Sequence, residues 1–243
     1  MAGADPDSGM RIDEIADGIV RLSTPVPPSA FPGGFTFNQY LVLDDEPLLF
    51  HTGHRRLFPA VSAAVARLLP LTRLRHISFS HFEADECGAL NQFLSAAPHA
   101  VPLCGRIGAR VSINDFADRE ARPLADGEAV ELGRHRVRWI DAPHLPHGWD
   151  CGCLMEETTG TLLCGDLFAE GGAEHPALTQ GDILGPSEAF RATVDYYSHT
   201  RHARALIGRL AACGPTTLAR MHGSAWRGDG AALLLALADR LDP

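Results

Sequence analysis

The sequence predicts an α/β protein built from two β-sheets packed together, with helices outside. Three observations lead there. Strand-like runs open each half of the chain and helix-like runs follow them, the order expected of packed sheet layers covered by helices. The chain has 243 residues, of which 45% are hydrophobic and 21% charged. That is ample material for one large core. Four separate strand ends finish in His, Asp or Glu, and α/β folds place their chemistry at the carboxyl ends of strands.

Taken in order, residues 1–10 are small and polar and are expected to be disordered. Residues 12–22 form a hairpin turning at Asp17-Gly18. The Pro/Gly-rich stretch 25–34 is a loop. Phe37–Leu43 and Pro47–Phe50 pair as strands around the acidic turn Asp44-Asp45-Glu46. Leu57–Leu69 has helical spacing, with Pro59 in its first turn and Pro70 beyond its end. Ile77–Ser80 is a short buried strand, and a helix closes over Asn91–Ala97 before Pro98.

Ala100–Leu103 is a strand and Arg106–Asn114 a short helix. Glu128–Leu132 with Arg136–Asp141, and Cys153–Glu157 with Thr161–Cys164, form two β-ribbons. After a loop over 169–186, Ser187 caps a helix over Glu188–Tyr197. A helix over 201–213, a strand at Thr217–Arg220 and a helix over Ala231–Leu241 are expected to complete a single domain spanning 1–243, with no repeats and no linker.

Composition removes several function classes. The net charge is −9 and no basic run exists, so neither nucleic acid nor an anionic membrane is expected as a partner. All 21 basic residues are Arg; the absence of Lys excludes Schiff-base chemistry and a P-loop lysine. The six cysteines match no zinc-ribbon or thioredoxin pattern, since Cys151-Gly152-Cys153 is too close for C-x-x-C. They are expected as buried free thiols. No signal-peptide pattern or membrane-length apolar run is present, which reads as a cytoplasmic protein with reduced thiols.

The chemistry concentrates in 77–87, Ile-Ser-Phe-Ser-His-Phe-Glu-Ala-Asp-Glu-Cys. Alternate residues of an extended segment point the same way. His81 and Glu83 can then reach one ion, while Asp85, turned by the following helix, reaches a neighbour. The same residues would also suit a plain helix N-terminus, where Asp85 and Glu86 meet the positive dipole end. Three more strand ends decide for metal. Asp141 leads into Ala-Pro-His144-Leu-Pro-His147-Gly-Trp-Asp150, a second strand ends Leu-Cys-Gly-Asp166, and a third ends Arg-Met-His222.

The order His81-x-Glu83-x-Asp85, His147, Asp166, His222 resembles the metallo-β-lactamase superfamily, and within it the diiron domain of flavodiiron proteins and the smaller oxygen-binding diiron proteins. The likeness runs from about residue 12 to 241 and implies an αββα sandwich with two metals at one edge of the sheets. Hydrolases of the superfamily carry His-x-His-x-Asp-His; Glu83 stands at the second His position here, as in the diiron branch. By position, the resemblance gives His81, Glu83 and His147 to the first metal, Asp85 and His222 to the second, and Asp166 as the bridge. His147 is preferred to His144 through the family's His-x-x-Asp spacing.

Two departures stand out. The family motif ends Asp-His, and Glu86 follows Asp85 here, so either Glu86 supplies an oxygen to the second metal or water fills that position. The family's Asp-Thr-Gly turn is His51-Thr52-Gly53, where His51 is either a hydrogen-bond donor behind a ligand or a substituted structural residue.

The donor set is rich in hard oxygen and favours iron, with zinc or manganese as alternatives. Three carboxylates leave about one net positive charge on a diferrous pair bridged by oxo, hydroxo or water. Phe82, Trp149 and Phe168 adjoin the ligands and are expected to wall an apolar pocket for an uncharged diatomic gas.

The resemblance therefore implies a non-haem diiron protein that binds or reduces dioxygen or nitric oxide. No flavodoxin domain is expected after the metal domain, so no FMN is expected in this chain and a reductase would take electrons from a separate donor protein. A homodimer is implied by the resemblance alone. The competing readings are a hydrolase using a metal-bridging hydroxide on an ester, thioester or phosphoester, and a sensing module that signals to another chain.

Overall fold

Side chains alternate along the strands between two different cores, and that period of two sets the architecture. The computed structural model describes residues 9–241 together with the short strand Gly3–Ala4. The first sheet runs β1 (Gly3–Ala4), β2 (Arg11–Ala16), β3 (Ile19–Val26), β4 (Phe35–Val42), β5 (Leu48–Phe50), β6 (His76–Ser78), β7 (Val101–Gly105) and β8 (Arg122–Leu124), each beside the next. It is antiparallel as far as β5 and parallel from β5 to β8.

The second sheet comprises β9 (Ala129–Glu131), β10 (Arg136–Asp141), β11 (Gly152–Glu156), β12 (Thr161–Gly165), β13 (Leu178–Thr179), β14 (Thr217–Arg220) and β15 (Ala225–Arg227), in the order β13-β15-β14-β12-β11-β10-β9. Its central pair, β12 and β14, is parallel, so both strands deliver their carboxyl ends to the same edge.

Between the sheets, Tyr40, Val42, Leu48 and Phe50 meet Trp139, Leu154, Leu163 and Ala219. Their strand neighbours face outward. Leu41, Leu49 and Ile77 pack under helices α1 (Phe58–Ala66) and α3 (Leu90–Ala96). Cys153, Met155, Leu162 and Leu218 pack under α6 (Leu184–Val194), α7 (Ala203–Ala212) and α8 (Gly230–Leu241). Short helical turns α2 (Ala84–Cys87), α4 (Arg106–Gly108) and α5 (Asn114–Phe116) lie in the connections of the first half. The layers are thus helix, sheet, sheet, helix: the αββα sandwich implied by the resemblance. No helix among the described residues is long and apolar enough to cross a membrane.

The hairpin at Asp17-Gly18 is present, with Gly18 at φ +68°. That is the left-handed region, which glycine enters without steric cost. Cys87, Cys104, Cys151, Cys153 and Cys164 are buried free thiols, and Cys213 is a free thiol that is only half-buried.

Two expectations need correction. Disorder over 1–10 does not hold where the chain is described: Gly3–Ala4 pairs with Arg11–Ile12, and Met10 is fully buried. Residues 1, 2 and 5–8 of that stretch lie outside the described residues. Ser187 does not cap its helix but is buried inside it. The helix begins a turn earlier, where Asp182 Oδ1 accepts the N–H groups of Leu184 and Gly185 at 2.9 and 3.1 Å. Those bonds satisfy donors that a first turn leaves free. The strands β8, β13 and β15, absent from the sequence reading, are only two or three residues long and carry no pattern of their own.

Candidate metal centre

Four connections meet at one edge of the sandwich. The segment after β6 carries His81, Glu83 and Asp85; the loop between β10 and β11 carries His147; Asp166 follows β12; His222 follows β14. The first two are tied together by Asp150, whose Oδ2 accepts the N–H of Phe82 at 2.9 Å, which gives the His147-x-x-Asp150 spacing a structural purpose. Gly165, at φ +55°, brings Asp166 into place. A Cβ at Gly165 would lie 2.7 Å from Ser80, the neighbour of His81. Only glycine lets the two loops approach this closely.

Two groups of converging donors result among the described residues. His81, Glu83, His147 and Asp166 form one; Asp85, Glu86 and His222 form the other, and within each group the donor atoms lie within 4.8 Å of one another. Asp166 also reaches the second group. Its Oδ2 lies 3.4 Å from His147 Nε2 and 3.7 Å from His81 Nε2, while its Oδ1 lies 3.2 Å from His222 Nε2. One buried carboxylate therefore presents one oxygen to each side.

The imidazoles are committed in the same sense. His147 Nδ1 donates to the carbonyl of Tyr196 at 2.8 Å, and His222 Nδ1 donates to the carbonyl of Thr36 at 2.7 Å. His81 Nδ1 meets Ser80 Oγ at 3.0 Å, and Ser80 in turn meets His51 Nε2 at 3.2 Å. Each ring thus directs Nε2 inward, and for His147 and His222 the bond from Nδ1 to a carbonyl leaves Nε2 as the atom a metal would take. His81 Nε2 and His147 Nε2 then stand 3.0 Å apart, both also within 3.0 Å of Glu83 Oε2. Three acceptors this close repel one another unless a cation or shared protons lie between them.

The electrostatics follow. Hydrogen bonds from His147 and His81 hold the Glu83 carboxyl down at about 2. Burial pushes Asp166 up, but His222, His81 and His147 outweigh it and hold the group well below the usual carboxylate range. Burial and the carboxylates of Asp166 and Asp85 push Glu86 well above it. Asp166 Oδ1 and both Glu86 oxygens are buried without a hydrogen-bond partner, and an orphaned buried carboxylate is costly. Divalent cations in the two groups would satisfy all of these atoms, so the residues present fit a pair of metal ions.

The remaining candidates divide. His144, at φ +64°, turns away into a separate cavity lined by Arg191, Tyr197 and His199. His51 is fully buried behind His81, held through Ser80. Burial lowers its imidazole to about 3, so it stays neutral.

The expected pocket wall is wrong. Phe82 alternates with His81 and Glu83, and alternation turns it away from them. It packs on Phe116 and is 41% exposed. Trp149 faces outward beside Ile107 and Pro143. Phe168 turns its ring into the core under the helices of the second sheet. The actual cavity, about 180 Å³, is walled by Phe31, Phe35, Phe190, Val194 and Tyr196 around Glu83, Asp85, His147, Asp166 and His222. Phe35 stacks on His222 at 4.2 Å and on Phe190 at 5.5 Å.

A model of the family described as ODP family beta lactamase matches residues 35–223, a span that contains all seven converging positions from His81 to His222. The chain belongs to this family. Relatives of the ODP-family chain include the nitric oxide reductase of Moorella thermoacetica, 27% identical over 142 residues, covering 56% of this chain and 35% of the relative. The rubredoxin-oxygen oxidoreductase of Megalodesulfovibrio gigas is 23% identical over 170 residues, covering 69% and 42%. A diflavin flavoprotein of Nostoc sp. is 28% identical over 141 residues, covering 56% and 24%. The chain thus spans about a quarter to two fifths of the length of these relatives.

Among solved structures, a metal-soaked flavodiiron core from Synechocystis sp. superposes with TM-score 0.78 at 20% identity, covering 96% of this chain and 60% of the other. A 1–254 fragment of a Nostoc sp. diflavin flavoprotein gives TM-score 0.82 at 18% identity, covering 96% and 95%. At these identities the likeness is one of fold.

Proposed function

We propose that this ODP-family chain is a dinuclear non-haem diiron protein that binds or reduces dioxygen or nitric oxide. The observation that carries the reading is the Asp166 carboxylate, buried and turned with one oxygen toward each of two donor groups. In this reading His81, Glu83 and His147 would hold the first ion, Asp85 and His222 would hold the second, and Asp166 would be shared between them. Three of these six donors are carboxylates, a set rich in hard oxygen, which favours iron over zinc. The relatives named for nitric oxide reduction and for rubredoxin-oxygen oxidoreduction support the same chemistry.

When bound, a diiron pair supplies electrons and open coordination positions to a diatomic ligand. The chain's own residues do the rest. The carbonyls of Tyr196 and Thr36 fix two imidazoles in the ligating tautomer. Glu83, ionised at neutral pH, brings negative charge between His81 and His147. Phe31, Phe35 and Phe190 wall the approach; they exclude water and suit an uncharged, apolar guest. Turnover draws electrons from a redox partner.

Metal content of protein purified anaerobically without added metal tests the reading. About two irons per chain, oxidised by a stoichiometric pulse of dioxygen or nitric oxide, is the expected result. Two zincs, with iron absent even after iron-replete growth, would overturn it and redirect the search to ester and thioester hydrolysis.

A further inference from the structure

Glu86 occupies the position where the family motif ends in His. It sits in α2, fully buried, with neither carboxylate oxygen hydrogen-bonded. A carboxyl oxygen of Glu86 lies within 4.8 Å of the donor atoms of both Asp85 and His222. Its backbone is firmly held. The carbonyl of Glu86 accepts the N–H of Thr52 at 2.7 Å, and the N–H groups of Cys87 and Gly88 close the turn onto Glu83 and Ala84 at 2.9 and 3.0 Å. The His51-Thr52-Gly53 turn thus props α2 from behind: Ala89 N–H donates to Gly53 O and to Thr52 Oγ1.

We infer that Glu86 is itself a ligand of the second metal, so that a carboxylate replaces the imidazole there and makes this half of the pair selective for hard divalent cations. The inference rests on the dinuclear reading above. With Glu86 included, the first group offers two imidazoles and the Glu83 carboxylate, and the second offers one imidazole and two carboxylates, with Asp166 shared. Glu83, Asp85, Glu86 and Asp166 then carry four negative charges, which balance two divalent ions. An oxygen-dominated position of this kind favours Mn(II) and Fe(II) over Zn(II) relative to one with a second imidazole. The same extra charge stabilises higher oxidation states of the bound ions.

The test is anaerobic equilibrium dialysis of the metal-free chain against Fe(II), Mn(II) and Zn(II), singly and in competition, with far-UV circular dichroism as a check on folding. Wild type takes up two ions. Glu86→Gln keeps the first and binds the second at least about tenfold more weakly, since even residues behind a ligand cost that much. Glu86→His regains two ions with the Mn-to-Zn preference at the second position shifted toward zinc by about tenfold or more. Two ions bound by Glu86→Gln as tightly as by wild type, or a Mn-to-Zn preference unmoved in Glu86→His, would overturn the inference while leaving the dinuclear reading intact. Fewer than two ions on wild type would overturn both. Should Glu86→Gln fail to fold, the competition ratio of Glu86→His decides.

Discussion

Replacing Asp166 with Asn separates a bridge from two independent sites. The carboxylate stands with Oδ2 3.4 Å from His147 Nε2 and Oδ1 3.2 Å from His222 Nε2. Asparagine keeps the shape, presents an oxygen to one side only, and turns an amide N–H₂ toward the other. It also removes a negative charge that two bound ions would share. Removing one partner of a buried charge pair costs about 3–5 kcal/mol, which is roughly a 10²- to 10⁴-fold loss of affinity. The loss falls fully on the ion that meets the amide and in part on the other. Anaerobic titration of metal-free Asp166→Asn with Fe(II), followed by calorimetry, should show stoichiometry falling from two toward one, with the retained ion also weakened. Glu83→Gln, by contrast, should weaken the first ion and spare the second. Two ions bound by Asp166→Asn with unchanged affinity would refute the bridge.

The other predictions follow from neighbouring geometry. His147→Asn should lose the first ion. His144→Asn should keep both, as read by metal analysis, because asparagine tolerates the left-handed backbone that His144 adopts outside the cluster. Gly165→Ala forces a left-handed backbone on alanine and drives its Cβ against Ser80. About 2–5 kcal/mol of stability is expected to go, by urea titration, with displacement of His81 and loss of bound metal. Glu156 tests acid stability: burial would raise this carboxyl, but hydrogen bonds from Thr159, Thr158 and His135 outweigh it and hold the group low. Because its folded value lies below the unfolded one, its contribution is complete above the unfolded value of about 4.3 and fades as pH falls through the folded value. Glu156→Gln should therefore cost about 1–3 kcal/mol at pH 7, and the gap to wild type should close below about pH 4; a gap independent of pH would show that the charge is not what matters.

The converging positions were legible because chemistry at strand ends is a local signal. A run such as Leu162-Leu163-Cys164-Gly165-Asp166 shows a buried strand and what it carries forward. The layering was legible too, since strand-like runs lead each half of the chain and helix-like runs follow. The cavity wall was not. Phe35 and Phe190 lie far apart in sequence, and only the packing of α6 over the start of β4 brings them together beside His222. Reading the wall from sequence neighbours of the ligands selected Phe82 and Trp149, which the course of the backbone turns outward. The early start of α6 was missed because Asp182 caps from a loop whose Gly and Pro content masks the helix.

The seven converging residues come from both sheets: His81, Glu83, Asp85 and Glu86 hang from the first, His147, Asp166 and His222 from the second. Bound ions would therefore act as a clasp across the seam of the sandwich. An ion at a thousandfold excess over its dissociation constant adds about 4 kcal/mol to the folded state, a large share of the roughly 5–15 kcal/mol that holds a typical domain together. Metal supply would then help decide how long a chain survives: copies made in shortage would carry an unfastened seam, open more often, and be the first that proteases remove.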